Sequence, residues 1–232
     1  MKKYNFSSYF SQEDRLINHL VLHSIDVPNP GLFHGQMGIC LVLAVYGKKK
    51  KDKQIKKISE LLLERISSML TENDNMSFAF GLSGIGWGIE YLIQNKLMTG
   101  DSLEICESID KKLQKLDLAK MDNLSLETGI EGLLHYILIH IKGTVSEGHP
   151  FTKDFMDLLY VRLCGLLKST VQRSITLDLL SQNFINIYNG LSWQYHPNLN
   201  DFIKTKHRHS KRILGLREGV AGRFYKEHIA TP

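Results

Sequence analysis

Two kinds of apolar pattern alternate along this chain. In the first kind, apolar residues recur every three or four positions and charged residues fill the gaps, as in IKKISELLLERISSM from residue 55. Such spacing places the apolar side chains on one face of an amphipathic helix. The pattern predicts four helices of this kind, over residues 11–25, 53–70, 101–116 and 152–167.

The second kind of pattern is apolar on almost every side. It covers ICLVLAVY from residue 39, IGWGIEYLI from residue 85 and LLHYILIHI from residue 133. Because helices of this composition are buried all round, we predict three inner helices here. Strands are the competing interpretation, since Val, Ile and Tyr suit them. The alternation with amphipathic helices favours helix, because a parallel sheet would normally show shorter and more Val-rich runs.

A G-x-x-G cluster opens each apolar segment and sets the period of the chain. The first glycines of the clusters are Gly35, Gly81, Gly129 and Gly219, at spacings of 46, 48 and 90 residues. Because the last spacing is close to twice the others, we infer one more repeat, near 173–190, that has lost its glycines. The sequence therefore predicts a single domain over 1–232 with five repeats, near 10–47, 48–96, 97–143, 150–190 and 197–229.

Each repeat pairs one amphipathic outer helix with one buried inner helix. Inner helices stay covered only where they face one another inside a ring of outer helices. The predicted fold is therefore all-α, an α/α toroid of about five helical hairpins that forms a small or incomplete barrel. The paired glycines would let neighbouring inner helices approach closely near their N-termini. Gly86 and Gly88 would make room for the indole of Trp87.

Composition and charge narrow the class of protein. The chain is 43% hydrophobic and 23% charged, as soluble globular proteins are, and no apolar segment approaches the length of a membrane span. Three widely spaced cysteines predict reduced thiols and a cytoplasmic location. The net charge of +5 is concentrated at 48–57 and 204–212. Neither run is interleaved with aromatic residues, which argues against a nucleic-acid partner and leaves an acidic peptide compatible.

Four motifs resemble the lanthionine synthetase C-like (LanC-like) family. They are GLFHGQMGI, FGLSGIGWGIEYLI, SLETGIEGLLHYIL and LGLREGVAG, which are distributed over the whole chain. The resemblance implies an α/α toroid and a place in bacterial pathways that modify ribosomally made peptides. Family enzymes close thioether rings by adding a peptide cysteine to a dehydrated serine or threonine. They use a zinc ion held by two cysteines and a histidine.

The chain departs from this family at the metal. The family carries its ligands in a Trp-Cys-x-Gly segment and a later Cys-His-Gly segment, and neither occurs here. Cys40, Cys106 and Cys164 have no histidine beside them, so no metal or catalytic residue is carried over and no cofactor is expected. We therefore expect a zinc-free, non-catalytic accessory that binds a precursor peptide or a peptide-modifying enzyme. An incomplete toroid would expose apolar edges, which a homodimer would cover.

An enzyme of another class is the alternative hypothesis. Glu90 interrupts an apolar segment, and Glu127 and Glu131 flank the third glycine cluster. These carboxylates could act as acids at the centre of the toroid, in peptide cyclase-like or glycoside hydrolase-like chemistry. The structural interpretation is that Glu90 faces solvent or pairs with a base, while the other two stabilise a helix N-terminus. A third hypothesis is a metal site formed by cysteines distant in sequence.

Histidines and tryptophans provide the candidate ligand-binding residues. We name His34, Trp87 and His135 as candidates, although His34 would also suit a hydrogen bond that fixes the loop before an inner helix. His135 and His140 are five positions apart, about 140° around a helix, so they do not share a face as metal ligands would. Three further features are expected to be incidental or packing residues: the His207/His209 pair, Trp193 and Tyr195.

Overall fold

The structure, a computed structural model, describes residues 11–70, 75–144, 148–204 and 213–230. Within these ranges the chain forms nine α-helices and no β-strand. The all-α prediction is therefore confirmed, and the competing strand interpretation of the apolar segments is wrong. His207 and His209 lie outside the described residues.

Four amphipathic helices form at the predicted places, and each has a polar residue at its N-terminus. Side-chain oxygens of Ser11, Asp52, Asp101 and Thr152 accept hydrogen bonds from backbone N–H groups of the first turn, which would otherwise lack partners. The helices are α1 (Gln12–His23), α3 (Lys53–Ser68), α5 (Ser102–Leu113) and α7 (Lys153–Lys168).

The other five helices begin at or near the glycine clusters, except the fourth, which begins after Ser174. The first three are buried along most of their length, as an inner position requires. The five helices are α2 (Gln36–Lys50), α4 (Leu82–Gln94), α6 (Ile130–Thr144), α8 (Ile175–Tyr188) and α9 (Val220–Phe224).

The inner helices pack side by side. Helix α9 contacts α2, α2 contacts α4, α4 contacts α6, and α6 contacts α8. The amphipathic helices lie outside, with α3 against α2, α5 against α4 and α6, and α7 against α8. This order is that of the predicted α/α toroid. The division into five repeats within one domain remains a prediction.

Backbone hydrogen bonds connect the loops that precede the inner helices. The N–H of Arg217 donates to the carbonyl of Phe33 at 3.0 Å, Phe33 donates to Ala79 at 2.9 Å, and Ala79 donates to Glu127 at 2.9 Å. These four residues each lie two positions before the first glycine of a cluster. The fifth repeat is thereby linked to the first, and the first to the second and third, at one end of the toroid.

The second glycine of each cluster packs against these loops, which corrects the predicted role of the glycines. A Cβ atom at Gly84 would lie 1.9 Å from the carbonyl oxygen of Phe78 and 2.9 Å from the Cβ of Leu32 in the preceding repeat. At Gly38 it would lie 2.6 Å from the Cβ of Leu216, in the fifth repeat. The missing side chains therefore admit the neighbouring loops rather than the neighbouring inner helices.

Close approach between inner helices does occur two and four positions after Gly84. A Cβ atom at Gly86 would lie 2.4 Å from the ring of Tyr136 on α6, and one at Gly88 would lie 2.3 Å from the side chain of Met37 on α2. The prediction that these glycines make room for Trp87 is wrong, because each of them accepts a side chain from an adjacent helix.

In the described part of the fifth repeat, residues 197–204 and 213–229, the outer helix that the repeat pattern predicts does not form. This part holds a 3-10 turn at Leu199–Phe202, the short helix α9 and one turn of π-helix at Tyr225–Ile229. An extended segment at 191–198 leaves α8, where the N–H of Gln194 donates to Asn183. The segment leads the chain from the fourth inner helix into the fifth repeat.

Candidate functional site

The axis of the toroid is filled by an aromatic side chain from the segment after α8. The ring centroid of Phe202 lies 5.6 Å from Phe33, 5.2 Å from Phe78, 4.9 Å from Trp87 and 5.1 Å from His135. These four partners come from the first, second and third repeats. Three of these contacts are edge-to-face and the contact with Phe33 is tilted. Such packing is favourable, and it buries Phe202 together with its four partners.

Tyr195 joins two of the candidate ligand-binding residues beside this ring. Its hydroxyl accepts a hydrogen bond from Nε1 of Trp87 at 2.9 Å and is 2.7 Å from Nδ1 of His135. Lys142 fixes the same residue by donating to its backbone carbonyl at 2.7 Å. Tyr195 is therefore a packing residue, as expected, and it packs between α4 and α6.

His135 is neutral in this aromatic surrounding. Burial lowers the pKa of its imidazole to about 3, because no nearby carboxylate compensates for the lost hydration of the charged ring. Burial likewise raises the pKa of the Tyr195 phenol. At neutral pH the axis therefore carries hydrogen-bonding groups without charge.

A second, charged cluster lies between α4, α5 and α6. Nδ1 of His140 is 2.6 Å from Oε1 of Glu90, and its Nε2 is 2.9 Å from Oδ2 of Asp110. Tyr136 donates its hydroxyl proton to the other oxygen of Asp110 at 2.6 Å, and Gln94 donates to the other oxygen of Glu90 at 2.7 Å. The side chains of Glu90 and His140 have no exposed surface.

The imidazole of His140 is positively charged in this cluster. Although burial alone lowers its pKa, hydrogen bonds and charges from Asp110 and Glu90 outweigh that effect and raise the pKa to about 9. Glu90 therefore does not face solvent, which corrects one structural interpretation, but it does pair with a base. A Cβ at Gly143 would lie 2.3 Å from its carboxylate, so this glycine on α6 leaves the space that Glu90 occupies.

The other two candidate acids are held by different partners. Glu127 is 3.1 Å from Nε of Arg217, whose guanidinium is buried and stacks over the ring of Phe33 at 4.5 Å. Glu131, in the first turn of α6, accepts a short hydrogen bond from the hydroxyl of Ser174, the N-terminal cap of α8. The structure thus gives each of the three carboxylates its own contacts and does not gather them in one site.

His34 lies on the outside of the loop ring. Its imidazole stacks on Phe80 with centroids 5.1 Å apart, and it forms no hydrogen bond among the described residues, so the predicted hydrogen bond is wrong. Burial lowers its pKa. The side chain lines a surface groove of about 620 Å³ together with His19, His23 and Leu214.

The described residues do not fit the zinc ion of family enzymes. Cys40 is buried in α2 and donates to the carbonyl of Ser59, and burial raises the pKa of its thiol to about 12. Burial also raises the pKa of Cys106, whereas zinc binds thiolates. Cys164 lies on α7, and within the described ranges no three His, Cys, Asp or Glu side chains are grouped to hold a metal ion.

Sequence reasoning did not identify Asp110, Tyr195 and Arg217 as parts of these clusters. For Asp110 a signal exists: it lies four positions after Cys106 and three before Leu113, on the stripe that α5 buries. A carboxylate on such a stripe requires a buried partner. Arg217 and Tyr195 lie in irregular segments, where periodicity carries no information about burial.

A comparison with protein families gives a match over most of the chain. The sequence model of the family described as "Lanthionine synthetase C-like protein" matches residues 26–192, more than two thirds of the sequence. No curated protein and no solved structure matches the chain. Among the helices of the described part, none has the length and apolar character to cross a bilayer.

Proposed function

This chain belongs to the lanthionine synthetase C-like family, and from that premise we propose that it is a non-catalytic accessory in the modification of ribosomally made peptides. In this role it binds a precursor peptide, or the enzyme that modifies the peptide, without closing thioether rings itself. We propose a cytoplasmic location, which the three unpaired cysteines support.

The observation that carries the proposal is the filled axis. Phe202 lies on four aromatic side chains of the inner ring, and Tyr195 occupies the space between Trp87 and His135. A reacting peptide needs a concave site in which its thiol and its dehydrated residue meet. Side chains of the segment 191–204 occupy that position at the centre of this toroid, which supports recognition on the outer surface instead.

The acid-based alternative receives less support from the geometry. A general acid has to lie within hydrogen-bond reach of the substrate. Glu90 is completely enclosed and paired with His140, Glu131 is engaged by Ser174, and Glu127 is engaged by Arg217. Each carboxylate therefore already serves a contact between repeats.

A homodimer remains a prediction. Ile175 and Leu179 lie one turn apart on α8 with 80% and 62% of their surface exposed, so this helix presents uncovered apolar side chains. Sedimentation velocity of the wild type and of Leu179→Glu tests it. A wild-type monomer at tens of micromolar would contradict the dimer.

The proposed function is tested with the peptides and modifying enzymes encoded beside the gene. Ring closure adds a thiol across a double bond without changing the mass, so it is measured as loss of alkylatable thiol in a dehydrated, cysteine-containing precursor. Binding is measured separately, by fluorescence anisotropy of the labelled precursor and by co-elution of the modifying enzyme.

We expect saturable binding and a rate of thiol loss equal to that of buffer alone. Faster thiol loss, with several turnovers per protein molecule, would contradict the non-catalytic role. Absence of binding to every neighbouring peptide and enzyme would contradict the accessory role. Phe202→Ala is compared with the wild type in both assays, because it should open the axis of the toroid without changing the outer surface.

A further inference from the structure

Lysines surround a small pocket where the first and second repeats meet. The pocket measures about 200 Å³ and lies at the C-terminal ends of α2 and α4 and the start of α3. Five lysines line it: Lys48, Lys51, Lys53, Lys56 and Lys96. Because Lys96 is 40 positions from Lys56, the nearest of the other four along the chain, the fold brings the lysines together and the charge run at 48–57 alone does not account for the site.

Two of these lysines adopt a backbone conformation that favours glycine. Lys51 has φ 55° and Lys96 has φ 54°, and within the described ranges they are the only non-glycine residues with positive φ. Each ends an inner helix, since the N–H groups of Asp52 and Leu97 donate back to Gly47 and Leu92 respectively. Glycine is the common residue at this point of a helix end, so a lysine there goes against the local conformational preference.

The positive charge of the pocket is not neutralised by its neighbours. Asp52, the acid of the pocket, caps the first turn of α3 with its carboxylate. Lys48 donates to the carbonyl of Asn95, and Lys56 is 3.9 Å from Glu60. Among the described residues, the ammonium groups of the other three lysines have no hydrogen-bond or ion-pair partner. Helix-end carbonyls of α2 and α4 offset part of this charge but carry only partial charges.

A second groove of about 520 Å³ continues the pocket. The two share Lys56, Lys96 and Leu97, and the groove extends over Leu63 and Met98 to Glu64. The combined space therefore has lysines at one end and apolar side chains beyond them. An extended peptide segment would fill such a space, whereas a single anion would not. Among the described residues, no aromatic side chain lines either space, so no platform for stacking nucleic-acid bases is present there. The carboxylates of Glu60 and Glu64 confine the anionic part of a ligand to the lysine end.

We propose that this seam between the first two repeats is a docking site for an acidic peptide segment. Carboxylates of the segment bind the lysines, and apolar side chains that follow them lie on Leu63 and Met98. The proposal rests on the proposed function, because it names the part of a precursor or partner that the accessory recognises. Charge complementarity is the physical basis of both the affinity and the choice of partner.

The test uses a fluorescein-labelled synthetic peptide of five glutamates followed by leucine, serine and leucine. Its dissociation constant is measured by anisotropy at low and at physiological salt, for the full chain. The test variant is Lys51→Glu/Lys53→Glu/Lys96→Glu. The control variant is Lys111→Glu/Lys115→Glu/Lys168→Glu, which changes the net charge equally on exposed positions of α5, α7 and the turn after α5. Circular dichroism checks that both fold.

We expect at least a tenfold loss of affinity in the test variant and about a twofold loss in the control. Equal losses would show attraction by net charge alone and would overturn the proposal. So would equal binding of a peptide with glutamine in place of glutamate, or tighter binding of a single-stranded oligonucleotide through the same lysines. Inorganic phosphate at 10 mM, used as a competitor, should displace the peptide only to the extent that added salt does.

The two proposals fail in different ways. If the natural precursor or modifying enzyme binds the wild type and the lysine variant equally, the accessory role stands and the docking site is wrong. If neither binds the wild type while the glutamate peptide does, the docking chemistry stands and the proposed function is wrong.

Discussion

Nδ1 of His140 lies 2.6 Å from Oε1 of Glu90, at a place where neither side chain touches water. The contact connects α6 to α4, and the second imidazole nitrogen of the same histidine connects α6 to Asp110 on α5. Both members of this enclosed ion pair have to be present for the fold to be stable. Removal of either one would leave the other as a buried and uncompensated charge.

Removal of Glu90 should therefore destabilise the fold. We expect Glu90→Ala to lower the free energy of unfolding by about 3 kcal/mol, and Glu90→Gln by less, since an amide can still bond His140. Urea titration measures both. Glu104→Ala, at an exposed position of α5, is the control and should change stability by less than about 1 kcal/mol. An unchanged melting temperature in Glu90→Gln would instead favour a catalytic carboxylate.

The free energy of unfolding should be greatest near pH 6.5, because the pKa values of two buried histidines are shifted in opposite directions. The pKa of His140 is raised to about 9, so its contribution is complete below pH 6.5 and is lost as the pH rises towards 9. The pKa of His135 is lowered to about 3, so its contribution is present above pH 6.5 and is lost as the pH falls towards 3.

Urea midpoints between pH 4 and pH 9.5 measure this profile. The alkaline loss of the wild type should be on the order of 3 kcal/mol and should be absent in His140→Gln. His135→Gln should flatten part of the acidic side and leave the alkaline side unchanged. A wild type that is equally stable at pH 6.5 and pH 9.5 would contradict a charged His140.

Alanine should have opposite effects at two helical glycines. At Gly84 the added Cβ would meet the carbonyl of Phe78 at 1.9 Å, so Gly84→Ala should cost about 2 kcal/mol or more by forcing the loop away. At Gly165, on α7, nothing lies within 4 Å, so Gly165→Ala should stabilise by about 1 kcal/mol through helix propensity. Thermal unfolding of the two variants checks the pair, and destabilisation by both would mean that helix propensity does not govern α7.

The helices could be predicted from the sequence because burial imposes a period on it. Four outer helices appear where apolar residues recur every three or four positions, and α8 appears in the repeat that has no glycine pair. The groups that pack against the glycines could not be predicted. The spacing of the glycines shows that one face of a helix lacks side chains, but it does not show which neighbouring groups pack there. The loops around Phe78 and Leu216 pack there.

The clusters inside the toroid were predicted only in part. Glu90, Trp87 and His135 stood out because a polar or bulky residue interrupts an apolar segment, and all three proved to be buried. Their partners come from distant positions: His140 lies 50 positions after Glu90, and Phe202 lies in a segment with no regular pattern. Such pairings depend on tertiary packing, which single-sequence periodicity does not encode.

Replacement of the two lysines with positive φ should stabilise the protein and weaken its binding of the glutamate peptide. In Lys51→Gly/Lys96→Gly the backbone strain is relieved, and we expect each change to raise the free energy of unfolding by up to about 1 kcal/mol. The same variant removes two charges from the pocket, so its affinity for the glutamate peptide should fall severalfold. Lys56→Ala is the control, because it removes one charge of the pocket within α3, together with a weak contact to Glu60, and should weaken binding without stabilising the protein. If the double glycine variant binds as tightly as the wild type, these lysines do not serve the docking site. If the variant is less stable than the wild type, the lysine side chains must make a contact that offsets the strain.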